Sequence, residues 1–319
     1  MDIFLSKTDE ENVMSSNDLC DELEKVYGIT AERKSIYSDI EVLQRYGMDI
    51  IFTRIPKKGY FLATRNFEIA EVRLLIDAVQ AAGFITPKKT HQLIKKIEKE
   101  ISVYQANILG QYIYIENRIK CDNEEVYYNI DLLNKAIENQ RQVSLVYVRH
   151  KIEKNKDKVK EKKTHTVNPY ALIWANDHYY LVCNNPKYDN LMHLRIDRMR
   201  KVEGLEKKAR HYSEVSEFAQ KFDAAVYARQ TFNMFSGETQ EIDLICDNSI
   251  IDDILDRFGD QTNIRCNDEE SFSIRITATM GQGLVSWIMQ YGKNITVVKP
   301  QELKDLVILR AEEILAKYR

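Results

Sequence analysis

The chain has 319 residues, of which 44% are hydrophobic and 30% charged, with a formal net charge of −3. That length predicts two or three domains with apolar cores of their own. The near-balanced charge excludes a molecule that is basic all over, so any polyanion-binding surface must be local. No apolar run reaches membrane-spanning length and no signal-peptide pattern is present. Cys20, Cys121, Cys183, Cys246 and Cys266 are scattered without a CxxC pair, which predicts reduced thiols in a cytoplasmic protein rather than a disulfide or metal framework.

Ser15-Ser16-Asn17 offers a helix N-cap, Leu19, Leu23 and Val26 recur at helical spacing, and Gly28 stops the helix. Thr30 is placed to cap a second helix over residues 31–46, with Ile36, Ile40 and Leu43 as its apolar stripe and Gly47 at its end. Residues 49–62, centred on Pro56-Lys57-Lys58-Gly59, read as a β-hairpin with a basic tip. Two helices, a short turn and a basic hairpin outline a winged helix-turn-helix. Behind the stripe, Arg33, Lys34, Ser35, Tyr37 and Ser38 occupy the first turns of the second helix, where a recognition helix touches bases. Arginine and lysine donate to guanine or phosphate, and hydroxyls to either. A solvated mixed-charge face is the other reading of these residues. The adjoining hairpin, with Arg54, Lys57, Lys58 and Tyr60, favours DNA. A winged helix also needs a first helix to close its core. Only residues 1–5 are available, against an average helix of about 11 residues, so the chain is expected to begin inside that helix.

An amphipathic helix is expected over 67–82, with Ile69, Val72, Leu75, Ile76 and Val79 on one face, and another after Pro87 with Leu93, Ile94, Ile97 and Ile101. They carry no chemistry and serve either core packing or a link to a partner copy. A short strand is expected at 113–115. Then come a helix over 130–136 and a strand over 143–148. Residues 150–165 alternate lysines with Glu153, Asp157 and Glu161, the pattern of a solvated, mobile hairpin tip. A phosphate-binding flap is the other reading of that stretch.

Residues 168–202 read as three short strands, 171–174, 179–183 and 191–198, with turns at Asn176-Asp177 and Asn184-Asn185-Pro186. In a regular strand Tyr180 and Val182 share one face while Tyr179, Leu181 and Cys183 share the other. Arg195 and Arg198 converge only if their strand ends or bulges near Asp197. Two converging arginines beside an exposed aromatic suit a polyanion with stackable bases. Pairing of Arg195 with Asp197 or a neighbouring carboxylate is the equal alternative. After a connecting region with His211, Tyr212 and Phe222, strands are expected at 241–246, 262–264, 271–278 and 295–298, and helices at 250–258, 283–291 and 303–318. Their β-α-β-β-α-β order is that of a ferredoxin-like sandwich.

The triplet Tyr179-Tyr180-Leu181, with Arg195 and Arg198 behind it, resembles the core of a WYL domain, an Sm-like β-barrel; the first position is Tyr here and Trp in the family name. The run Glu32-Arg33-Lys34-Ser35-Ile36-Tyr37-Ser38-Asp39-Ile40 resembles the recognition helix of DeoR-like regulators that carry WYL domains. Phe235, Trp287 and Tyr291-Gly292 lie as in the C-terminal extension that follows WYL domains. The resemblance spans nearly the whole chain. It implies an α+β multidomain protein: a winged helix-turn-helix at 1–64, a helical linker or dimerisation region at 65–125, a WYL Sm-like barrel at 126–204, a connector at 205–230 and a ferredoxin-like extension at 231–319. It further implies a homodimeric transcriptional regulator that binds an operator in double-stranded DNA. Its barrel would sense a nucleotide or oligonucleotide through Tyr180, Arg195 and Arg198, with Tyr170, His178 and His193 as further candidates. The alternative is an accessory protein that binds RNA or single-stranded DNA without controlling transcription.

No P-loop, GxSxG, HExxH or GxGxxG motif occurs, and the six histidines are dispersed without metal-ligand spacing. Neither catalysis, a metal nor a cofactor is expected.

Overall fold

The computed structural model describes residues 1–55, 57–112, 120–153, 156–218 and 222–319. The chain divides into Met1–Asp122 and Asn123–Arg319. The strand expected at 113–115 lies outside the described residues.

The first unit opens with α1 (Asp2–Lys7). The expected fragment at 1–5 is thus a six-residue helix, and it carries Ile3 and Phe4 into a core with Leu19, Ile36, Ile40, Ile50 and Leu62. Thr8 fastens its end, donating to Phe4 O (2.8 Å) and accepting from Leu62 N (3.1 Å). Arg65 adds donations to Thr8 O (2.6 Å) and Leu5 O (2.7 Å). Helix α2 (Ser16–Tyr27) starts with a reciprocal capping box between Ser15 and Asp18 and stops at Gly28, whose φ of 67° is the left-handed conformation glycine tolerates best. Helix α3 (Arg33–Arg45) buries Ile36 and Ile40, one turn apart. Its N-cap is Glu32, not Thr30, and no side chain caps it.

Strands β1 (Ile50–Thr53) and β2 (Gly59–Leu62) form the expected hairpin. Met14 extends it through a bridge to Tyr60, with N–H···O distances of 3.0 and 2.7 Å. Gly59 is required there, since a Cβ would lie 2.8 Å from the Met14 carbonyl carbon and oxygen. Helices α4 (Ile69–Ala81), α5 (Pro87–Ile97) and α6 (Val103–Tyr112) follow. Val72 and Ile76 pack with Ile94, Ile97, Ile101, Ala106 and Leu109. The buried Asp9 carboxylate ties this group to the N-terminal core: it accepts from Asn12 N (2.8 Å) and from the Ser102 hydroxyl.

The second unit begins with α7 (Val126–Glu138) and five strands: β3 (Arg141–Glu153), β4 (Lys156–Ala175), β5 (His178–Asn184), β6 (Leu191–Arg195) and β7 (Met199–Lys208). The sheet order is β6-β5-β4-β3-β7, with every neighbouring pair antiparallel. The expected barrel is not closed. With five strands paired antiparallel throughout, the two edge strands, β6 and β7, run in the same sense, so no antiparallel ladder can close between them. The 20-residue β4 pairs with β3 along its first half and β5 along its second, changing partners around a bulge at Tyr170. At Asn176-Asp177 both residues have positive φ (49° and 57°), the geometry of a two-residue hairpin turn whose twist matches the strands.

Two further expectations need correction. The charged stretch 150–165 is the outer end of the β3–β4 hairpin, and its ladder is longer than expected, paired through Arg149↔Glu161, His150↔Lys160 and Lys151↔Val159, with residues 154–155 outside the described residues. Opposite charges face each other at Arg149 and Glu161, a favourable cross-strand pair. The expected strand at 191–198 ends at Arg195, and β7 runs on to Lys208, into the first residues of what was read as connector.

Helix α8 (Ala224–Gln230) packs Tyr227 against the outer face of the sheet, with Tyr170, Ile173, Val182, Leu191 and Met234. Next come β8 (Thr239–Asp247), α9 (Ile251–Phe258), β9 (Ile264–Cys266), β10 (Ser271–Thr279), α10 (Gln282–Gln290), β11 (Ile295–Lys299) and α11 (Gln301–Tyr318). The sheet order is β11-β8-β10-β9, all antiparallel. Ile242, Leu244, Ile254, Leu284 and Leu303 are fully buried between sheet and helices.

Candidate functional site

Two surfaces hold the residues singled out in the sequence. The first is the solvent face of α3 with the adjoining hairpin. Burial of Ile36 and Ile40 on one side of α3 leaves Arg33, Lys34, Ser35, Tyr37 and Ser38 exposed on the other. Arg54, Lys57 and Lys58 are exposed on the hairpin. An aromatic row joins helix and hairpin: the Tyr37 and Tyr60 ring centroids lie 6.5 Å apart, those of Tyr60 and Phe52 4.9 Å, and Lys58 Nζ sits 5.9 Å from the Phe52 ring. Two of these side chains have protein partners. The Tyr37 hydroxyl is 3.2 Å from Ser16 Oγ, and this bond, with Arg33 next, draws its phenol below the ordinary value. Lys57 Nζ lies 3.8 Å from the Asp18 carboxylate. Arg33, Lys34, Arg54 and Lys58 remain exposed to solvent.

The second surface lies at the start of β5 and the end of β6. The register Tyr180↔Arg195 places both side chains on one face of the sheet. Because β6 ends at Arg195 and the chain enters a 3₁₀ turn over Ile196–Arg198, the sequence condition for convergence is met. Arg195 and Arg198 both lie close enough for their charges to pull the Tyr180 phenol down, although its burial, the larger effect, raises it overall. Arg195 also pairs with Asp197: Nε and Nη2 donate to the two carboxylate oxygens at 3.1 and 2.7 Å, with side chains 23% and 10% exposed. Burial works against the Arg195 charge, but the carboxylate outweighs it and holds the guanidinium above its usual value. Both sequence alternatives are therefore present in one group, a pair of arginines beside a tyrosine and an internal carboxylate occupying one of them. Tyr147, which the sequence reading did not select, accepts from Arg195 N through its hydroxyl at 3.2 Å.

His178 stands at the edge of this group, its ring 6.4 Å from Tyr180 and its Nδ1 2.6 Å from Asp177 O. His193, paired with Val182, shares the sheet face of Arg195, and Tyr170 belongs to the apolar cluster that Tyr180 packs against, but both are engaged by protein packing. Tyr170 is buried among Tyr212 and Phe222, with ring centroids 6.2 and 6.3 Å away, and burial pushes its phenol well up. His193 Nε2 lies 2.8 Å from Tyr227 Oη under α8, and burial lowers its imidazole to about 4. Cys183 is fully buried and its thiol is pushed up by burial alone, as expected of a core cysteine. Among the described residues no group of three His, Cys, Asp or Glu side chains could hold a metal ion, and no helix is long and apolar enough to cross a membrane.

An α+β chain with a basic helical face and a basic, tyrosine-lined sheet edge is thereby defined. Residues 128–203 match the WYL domain and residues 238–315 the WCX domain, so the chain is a WYL domain-containing protein with a WCX domain behind it. A similar solved structure is proteasome accessory factor B/C (PafBC) of Arthrobacter aurescens, at 14% identity and a TM-score of 0.28 over 99% of this chain. The chain spans 47% of that chain's length, about half. No curated protein matches the chain.

Proposed function

We propose that the protein is an effector-responsive, DNA-binding transcriptional regulator. In this reading α1–α3 and the β1–β2 hairpin form a winged helix-turn-helix. Arg33, Lys34, Ser35, Tyr37 and Ser38 contact base edges or phosphates, and Arg54, Lys57 and Lys58 contact the backbone from the wing. The observation that carries it is the exposure of those polar side chains along one side of α3 while Ile36 and Ile40 fill the core on the other. The WYL domain senses a nucleic-acid or nucleotide-like ligand through Tyr180, Arg195 and Arg198, with His178 at the rim. The WCX domain is a ferredoxin-like sandwich, which its element order and antiparallel 4-1-3-2 strand arrangement support.

Operators with two half-sites call for two recognition helices. We therefore extend the reading to a homodimer, consistent with the exposed Ile308, Leu309, Leu315 and Tyr318 of α11. The ligand acts by favouring one arrangement of the two subunits. Filter binding with duplex DNA, single-stranded DNA and RNA tests the reading. Duplex affinity that weakens in Arg33→Ala, with the circular dichroism unchanged, supports it. Binding to single strands or RNA without duplex binding replaces it with the accessory-protein reading.

A further inference from the structure

A cleft of about 380 Å³ opens between the outer half of the β3–β4 hairpin and the β5–β6 turn. Strand alternation builds one wall. Tyr147 pairs with Lys163 and Arg149 with Glu161, so these four side chains, with His165, point to the same side. The opposite wall is the turn that carries Asn185, Tyr188 and Asn190. That turn is held in shape by the buried Asn184, whose Nδ2 donates to Tyr188 O (2.7 Å) and Asn190 O (2.9 Å). Asn168 Nδ2 in turn donates to Asn184 Oδ1 (2.9 Å), and Arg210 holds Asp189 at 2.7 Å.

The lining has the chemistry of a ligand with three parts. Arg149 lies 5.4 Å from the Tyr147 ring. Two cations on one wall, neither within ion-pair distance of a carboxylate among the described residues, suit a phosphate. Glu161 beside them is the kind of carboxylate that accepts from ribose hydroxyls. His165 stands edge-on to Tyr147 at 6.2 Å; burial first, then the charges of Lys163 and Arg149, keep its imidazole below the ordinary value. Across the cleft Tyr188 offers a ring face for a base. Among the described residues Asn185 uses only Oδ1 and Asn190 only Nδ2, so each amide keeps one hydrogen-bonding group for the base edge. The volume lies in the ordinary range for small-molecule pockets.

We propose that this cleft binds a ribonucleoside 5′-monophosphate, with its phosphate on Arg149 and Lys163, its ribose at Glu161 and its base against Tyr188. The cleft is distinct from the Tyr180–Arg195–Arg198 group, to which it is joined through Tyr147. The site therefore rests on its own residues and only deepens the sensor reading.

Isothermal titration of the full chain with AMP, adenosine and inorganic phosphate tests it, using Arg149→Ala/Lys163→Ala and, separately, Arg195→Ala/Arg198→Ala. AMP binds the parent chain more tightly than adenosine or phosphate. Its affinity falls about hundredfold in the first variant, taking about tenfold for each charge-assisted contact removed, and is retained in the second. Tyr188→Ala, on an exposed turn, weakens AMP more than phosphate and serves if the double variant does not fold. Unchanged AMP affinity in Arg149→Ala/Lys163→Ala, or phosphate binding as tightly as AMP, overturns the proposal. Loss of AMP only in Arg195→Ala/Arg198→Ala also overturns it, but leaves the Tyr180 group standing as the nucleotide site.

Discussion

Asp197 occupies the guanidinium that the proposed effector needs, so Asp197→Ala separates the structural and binding roles of Arg195. In the folded protein the pair is bidentate, at 3.1 and 2.7 Å, and mostly covered. Breaking a fully buried pair costs about 3–5 kcal/mol, and an exposed one about 0–1 kcal/mol. The partial exposure of Arg195 places this pair between those limits, at about 2 kcal/mol. The substitution should therefore lower the melting temperature of the second unit by about 4–8 °C. Its backbone role is kept, since Arg200 Nη1 and Asn123 Nδ2 donate to Asp197 O at 2.8 and 3.1 Å. At the same time the freed guanidinium gains a contact with an anionic ligand worth about 1.5–3 kcal/mol. Oligonucleotide affinity, read by fluorescence anisotropy, should then rise by roughly tenfold or more. Arg195→Ala should lose both stability and affinity. Loss of affinity in Asp197→Ala, in parallel with Arg195→Ala, would refute the reasoning and make the pair a purely structural clamp.

Further outcomes follow from buried groups. His193, with its imidazole lowered to about 4, is neutral in the folded protein near pH 7. The unfolded chain binds that proton first, near pH 6.5. Its contribution is thus complete above pH 6.5 and is lost progressively as pH falls toward 4, by roughly 3 kcal/mol in all; His193→Phe should flatten urea-unfolding stability over that window. Tyr170 buries a hydroxyl with no hydrogen-bond partner among the described residues, so Tyr170→Phe should leave urea-unfolding stability unchanged or raise it by about 1 kcal/mol. Gly59→Ala should push β2 off Met14 and cost roughly 1–3 kcal/mol of stability in the first unit, measured by thermal unfolding.

The sequence was most legible where burial, period and capping agree. Ile36 and Ile40 at helical spacing fixed which side of α3 faces solvent, and Gly28 marked the end of α2. The strands of the last domain were readable because Ile242, Leu244 and Cys246, like Phe272, Ile274 and Ile276, alternate cleanly between core and solvent. The length of the β3–β4 ladder was hidden because it continues into charged residues with no apolar alternation to betray it. Reading the period of two onward from Leu145 through Tyr147 to Arg149 is the one signal that would have found the cleft. The bulge at Tyr170 also shifts parity, so faces counted across it come out reversed. Helix α6 was missed because its few buried residues, Leu109 among them, give no clear stripe.

The salt dependence of binding to a random-sequence duplex tests the central claim most directly. Electrostatic binding loses about 0.9 in the slope of log affinity against log salt for each phosphate contacted. Arg33, Lys34, Arg54 and Lys58, with Lys57 held by Asp18, give about four contacts per chain and a slope near −3.6. Arg33→Ala/Lys34→Ala should reduce the slope by about 1.8. An undetectable affinity for duplex, or a slope unchanged in that variant, would contradict the assignment of α3 as the helix that reads DNA.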